Sequence, residues 1–174
     1  LVYWSGGNPF HHHQDINRLV VAWRQPETII VNEPWWTATA KFSDIVLPTT
    51  TTLERNDIGA SSRDRYILAM HRAIEPVGDS RHDFDIFADL AKRFGTFDLF
   101  TEGRDEQAWL RHIYDRARQQ AAEKDVVLPG FEEFWETGHA EIPAPAEPHI
   151  AFAAFRTDPA ANPLATPSGR IELF

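Results

Sequence analysis

The chain has 174 residues, 43% of them hydrophobic, enough for one domain with a real core. Its formal net charge of -9 excludes the surplus of clustered Lys and Arg that a general nucleic-acid binder needs. The absence of cysteine excludes disulfides, Fe–S ligation, thiolate zinc sites and a catalytic thiol, and the apolar runs at 29–31 and 150–155 are far shorter than the roughly 20 residues of a membrane span.

In chain order, short apolar runs alternate with helical patterns, the signature of parallel βαβ units. Residues 1–5 form an apolar run that stops at Gly6-Gly7-Asn8-Pro9. Asp15 is placed to cap a helix over 15–25, with Ile16, Leu19, Val20 and Trp23 at helical spacing, ending before Pro26. A second strand is predicted over 28–32, a brief crossover over 35–42, and a third strand over 44–47 that stops at Pro48. Strands two and three lack polar alternation, as strands of a parallel sheet covered on both faces do.

Residues 49–65 are polar and too long for an ordinary connection, so this loop is expected to have a function. A further strand is predicted over 66–70, and an amphipathic helix over 83–94 carries Phe84, Ile86, Phe87, Leu90 and Phe94 and closes at Gly95. Residues 106–124 read as a charged surface helix with Trp109, Leu110, Ile113 and Tyr114 facing inward, and one short helix is expected within 130–138. Residues 143–148 read as a stiff, extended linker, and 170–174 alternate like a strand. Both ends read as cuts from a longer chain, since each is apolar where a natural terminus is usually polar. The expected fold is α/β: a Rossmann-like three-layer domain with a mostly parallel sheet, followed by C-terminal helical and extended segments.

The densest candidate site is Trp4-Ser5-Gly6-Gly7-Asn8-Pro9-Phe10-His11-His12-His13-Gln14-Asp15, where a first strand hands over to a helix. Glycines at a strand's carboxyl end let a ligand approach the backbone, and the helix start favours an anion. A tight turn without a ligand is the alternative reading of Gly-Gly-Asn-Pro. Three consecutive histidines do not project to one point, which argues against a metal site and for hydrogen bonding to a polar ligand. The loop Leu53-Glu54-Arg55-Asn56-Asp57-Ile58-Gly59 follows the third strand and is expected to share the same edge. There Asn56 and Asp57 suit the edge of a guanine or pterin, or else simply stabilise the loop. Asp85 is read as a helix cap, while Asp83 is retained as a cofactor-side candidate. No Gly-x-Ser-x-Gly elbow, phosphate-binding P-loop or Gly-x-Gly-x-x-Gly fingerprint is present.

The residues resemble the molybdopterin-guanine-dinucleotide oxidoreductases, in particular the dimethyl sulfoxide, trimethylamine N-oxide and biotin sulfoxide reductases. Residues 3–19 are similar to that group's Gly-Gly-Asn-Pro-Phe and His-His-Gln-Asp signature. Asp44-Ile45-Val46-Leu47-Pro48 with Leu53-Glu54-Arg55-Asn56-Asp57 resembles its second signature, and Thr166-Pro167-Ser168-Gly169-Arg170-Ile171-Glu172 the stretch before its C-terminal domain. The stretch 56–70 looks closest to biotin sulfoxide reductase.

The resemblance implies a parent enzyme that holds molybdenum between two molybdopterin guanine dinucleotides and reduces an S-oxide or N-oxide. This chain would be a cofactor-binding domain of that enzyme, catalytically silent alone and without bound cofactor. Gly6, Gly7, Asn8, His11, His12 and Gln14 would line one pterin dinucleotide, with Asn56, Asp57 and Asp83 beside them. No catalytic residue and no metal ligand is assigned here, because the family's molybdenum-ligating Ser lies in a preceding segment. The implied partners are the remaining domains of the parent chain, the pterin-guanine cofactor and a small oxide substrate, with no nucleic acid. The compartment stays open, since the group includes cytoplasmic and exported members. Two other classes remain: a nucleotide-binding or protein-interaction α/β module without redox activity, and a histidine-based metal protein.

Overall fold

The computed structural model describes residues 1–61, 64–144 and 149–173. The chain divides into two compact units, Leu1–Ile142 and Pro143–Phe174.

The first unit begins with three strands, β1 (Val2–Ser5), β2 (Ile29–Asn32) and β3 (Ile45–Leu47), hydrogen-bonded in that order and all parallel. Val2 lies opposite Ile29, and Ile30 opposite Ile45. The first crossover carries α1 (Pro9–His12) and α2 (Ile16–Trp23). Pro9 suits a first helical position because its missing N–H would have no partner there, and the Asp15 carboxylate accepts from the Arg18 N–H at 3.0 Å to start α2. The second crossover holds only α3 (Ala38–Lys41), capped by the Thr37 hydroxyl. A longer helix, α4 (Asp83–Arg93), follows later in the chain and gives way to Gly95 in a left-handed conformation. Successive side chains of β1 meet different helices: the Trp4 ring lies 5.5 Å from Trp23 of α2, and the Tyr3 ring 5.4 Å from Phe87 of α4. Phe10, Trp23 and Ile29 form the buried centre beside α2.

A second sheet is antiparallel, in the order β4 (Asp57–Gly59), β5 (Tyr66–Met70), β6 (His139–Glu141). It has its own core, in which Ile67 and Ala140 from the sheet meet Leu110 and Tyr114 of α6 (Glu106–Ala122) and Phe131 and Phe134 of α7 (Phe131–Thr137). Tyr114 and Phe134 stack with ring centroids 4.0 Å apart, and the Tyr114 hydroxyl donates to the Pro129 carbonyl, so a large ring is buried without leaving a polar atom bare. A short helix, α5 (Phe97–Thr101), packs against α4. The second unit holds α8 (Ala153–Thr157) and a turn closed by Leu164 N–H to the Gly169 carbonyl.

The three parallel strands, β5, α2, α4, α6 and α7 lie where the sequence puts them. The mostly parallel sheet is instead two separate sheets, one of each kind. Strand β4 lies inside the stretch read as a loop, and β6, α5 and α8 were not expected. Ile113 is 51% exposed and does not face inward. On α6 the buried pair is Leu110 and Tyr114, four residues apart, and Ile113 is turned about 100° from Tyr114 at 3.6 residues per turn. No strand forms over 170–173, where Thr166, Ser168 and Glu172 close local turns. Ser62 and Arg63 of the stretch 56–70, and residues 145–148 of the expected linker, lie outside the described residues.

Candidate functional site

Parallel strands deliver their following loops to one edge of a sheet, and here the three loops meet. A hollow of about 490 Å³ is lined by Ser5, Gly6, Gly7 and Asn8 at and beyond the end of β1, by Asn32 to Thr37 (Trp36 excepted) at and beyond the end of β2, and by Thr49 to Thr52 and Arg55 after β3. Asp83, the first residue of α4, closes the ring. The volume falls in the range of roughly 300–1,000 Å³ typical of small-molecule sites.

Each wall is fixed by its own hydrogen bonds. Gly6 and Gly7 have φ of 81° and 71°, the left-handed region that only glycine enters cheaply. The Trp4 indole N–H donates to the Gly7 carbonyl at 3.2 Å and holds that turn down. Asn8 accepts from the buried Thr39 hydroxyl through Oδ1, and its Nδ2 lies 3.2 Å from His11 Nδ1. Glu33 accepts from the Trp35 backbone N–H and from the Thr37 hydroxyl, closing the turn after β2.

Across the floor runs a side-chain relay from β1 to α4. The Tyr3 hydroxyl donates to Asn32 Oδ1 at 2.8 Å, and Asn32 Nδ2 donates to Asp83 Oδ1 at 2.8 Å. Burial, then the Asp83 charge, push the Tyr3 phenol above its usual value, while the Asn32 bond opposes them. Arg55 donates to Asp57 Oδ2 and to the Thr50 carbonyl, so its charge is partly spent in holding the third loop. The Thr50 hydroxyl is buried in this wall without a hydrogen-bond partner. Buried polar atoms are rarely left so.

Behind the third loop Glu54 is only 5% exposed, yet it is well satisfied. It accepts from the Thr51 N–H and hydroxyl and from the Val77 N–H, each at 2.7 Å. These bonds, the Thr51 hydroxyl first, pull its carboxyl down to about 2, against burial. A carboxyl whose folded pKa lies below its unfolded value adds stability that is complete above the unfolded pKa and lost as pH falls toward the folded one. Wild type is therefore expected to lose unfolding midpoint between about pH 5 and pH 2 more steeply than Glu54→Gln. Parallel midpoint curves for the two proteins over that window would contradict the assignment.

Of the residues chosen from the sequence, Gly6, Gly7, Asn8 and Asp83 line the hollow. His11, His12 and Gln14 are exposed on and after α1 and do not line it. Asn56 lines a second hollow of about 380 Å³ that shares Thr50 and Arg55 with the first. Its Oδ1 accepts from the Arg72 N–H, and Asp57 is tied to Arg55 at the start of β4. The two Asn-bearing turns thus face adjoining hollows, not one. Asp85 is not a cap: His82 occupies that position and Asp85 sits in the first turn of α4. Asn32, Glu33, Trp35, Thr37, Thr49 to Thr52 and Arg55 were not singled out. Among the described residues no three His, Asp or Glu side chains converge as a metal site, and no helix is long and apolar enough to cross a membrane.

A family model described as molybdopterin oxidoreductase matches residues 1–93. The chain is 55% identical to biotin sulfoxide reductase of Cereibacter sphaeroides, over 99% of this chain and 23% of that protein. It is 50% identical to dimethyl sulfoxide/trimethylamine N-oxide reductase of the same organism, over 100% and 22%. Trimethylamine-N-oxide reductase 1 of Escherichia coli O157:H7 is 44% identical, over 100% and 21%. The chain therefore spans under a quarter of the length of these relatives. Among solved structures, acetylene hydratase from Pelobacter acetylenicus shares the fold with a TM-score of 0.62 at 18% identity, over 99% of this chain and 22% of that one.

Proposed function

This chain belongs to the molybdopterin oxidoreductase family, and on that premise we propose that its strand-edge hollow holds the guanine-dinucleotide end of a molybdopterin cofactor in an S-oxide or N-oxide reductase. The carrying observation is the convergence of three strand-end loops and Asp83 on one hollow. The residues suit such a group. The Asp83 carboxylate is an acceptor for heterocycle N–H groups, and the Gly6-Gly7 turn has nothing within 4 Å of either missing Cβ.

When bound, the cofactor would supply the two-electron redox centre at which an oxide is reduced. The chain's own part is to bind and orient its nucleotide end. In this reading Asn8 and Asn32 fix the floor, Asp83 reads the base, and Arg55 stands beside the phosphates. His11, His12, Gln14, Asn56 and Asp57 belong to the outer rim, reached by the parts of the cofactor that extend beyond the hollow. A Rossmann-like three-layer arrangement for the parallel part is included in the proposal, supported by the contacts of β1 with α2 and with α4. The chain alone is expected to be folded and without reductase activity.

A thermal-unfolding screen tests this. GMP or GDP at ten times its Kd should add about 1.4 kcal/mol, roughly 3–6 °C for a chain of this size, whereas CMP should not. Equal shifts with all nucleotides would favour a nucleotide-binding module without base preference, and a shift with zinc alone would favour a histidine metal protein.

A further inference from the structure

We infer that Trp35 is the stacking platform for the heterocycle in this hollow. The inference rests on the cofactor reading above and names a residue whose side chain neither the sequence motifs nor the hydrogen-bond network of the site singles out.

The chain has six tryptophans. Trp4, Trp23, Trp109 and Trp135 each pack against another ring. Trp35 and Trp36 have no ring partner among the described residues and are 67% and 72% exposed. Of these two bare indoles, only Trp35 lines the hollow. Its backbone is not loose. Its N–H donates to the Glu33 carboxylate and its carbonyl accepts from the Thr37 N–H at 2.8 Å, so the side chain springs from a pinned turn.

The rest of the lining explains what such an indole would do. Gly6, Gly7, Asn8, Asn32, Asp83 and the threonines present hydrogen-bonding groups, and none of them carries an aromatic ring. A flat heterocycle needs two things from a site: groups that read its edge and a surface that covers its face. Asp83 and Asn32 can supply the first, and Trp35 is the one aromatic residue in the lining that can supply the second. An aromatic platform favours a ligand with a π-face over bare phosphate, and stacking is tolerant of which base is present. Base choice then falls to Asp83, and retention of the base to Trp35.

Calorimetric titration of the chain with GMP, and separately with inorganic pyrophosphate, tests this on wild type, Trp35→Ala, Trp35→Phe and Trp36→Ala. Trp35→Ala is expected to weaken GMP about tenfold or more. Trp36→Ala should stay within about twofold of wild type, as exposed substitutions away from a site do. Pyrophosphate should bind all four proteins alike. Trp35→Phe should keep most GMP affinity but lose the quenching of tryptophan emission that accompanies binding in wild type and in Trp36→Ala. Wild-type affinity for GMP in Trp35→Ala would overturn the inference and leave the cofactor reading standing. Equal losses for GMP and pyrophosphate would also overturn it, by showing that Trp35 merely supports the loop. Failure of wild type to bind GMP would overturn the cofactor reading and this inference together.

Discussion

Phe134→Ala is expected to destabilise the chain by about 3–5 kcal/mol, the range for truncating a fully buried aromatic ring. Phe134 has no exposed surface, stacks on Tyr114, and meets Phe131 and Trp135 at its edges. Its removal takes away the transfer energy of the ring and leaves a cavity between α6, α7 and the antiparallel sheet. The sheet cannot close on it easily, since β4 and β6 are three residues each and depend on the helices for their cover. Urea unfolding followed by circular dichroism gives the number. A loss under about 1 kcal/mol would mean that the second core is not what holds β4, β5 and β6 together.

Asp83→Ala is expected to act on stability, on Tyr3 and on ligand at once. Asn32 is buried, and its Nδ2 has Asp83 as its acceptor, so truncation strands a donor at a cost of about 1–3 kcal/mol. Loss of the negative charge also removes one of the two influences that raise the Tyr3 phenol, so the Tyr3 pKa should fall; ultraviolet titration of the phenolate measures it. GMP affinity should drop about 10- to 150-fold, the equivalent of losing a hydrogen bond to a charged group. A merely structural Asp83 would lower stability and leave GMP binding per folded molecule unchanged.

The parts of this fold that are legible in the sequence are those carried by local signals. Ile29, Ile30 and Val31 mark a covered strand, Asp15 a helix start, and Pro48 a strand end, and each acts within a few residues. Strand β4 was hidden because Asp57 and Gly59 are poor strand formers and are held there by pairing with Met70 and Leu68 of β5. β6 pairs with β5 across some seventy residues, a partner that no local pattern announces.

The site divides in the same way. Gly6, Gly7 and Asn8 stand out because glycines at a strand's carboxyl end let a ligand approach the backbone, although a plain tight turn uses the same residues. Asn32 left a signal that was passed over: it is a polar residue closing an otherwise apolar buried strand. The loop that holds Thr50 and Arg55 was expected at this edge, but neither residue carried a signal of its own, and the fold is what brings both into one lining with Asp83. His11 and His12 stood out through the family-like motif, and the four-residue α1 that carries them leaves both exposed outside the hollow's lining.

The most direct measurement is a GMP titration of the isotope-labelled chain followed by amide chemical shifts. The cradle predicts shifts that saturate together at Gly6, Gly7, Asn8, Asn32, Trp35, Thr50 to Thr52 and Asp83, on all three strand-end loops and the start of α4. Shifts confined to one loop, or centred on the antiparallel layer near His139 and Trp135, would contradict it.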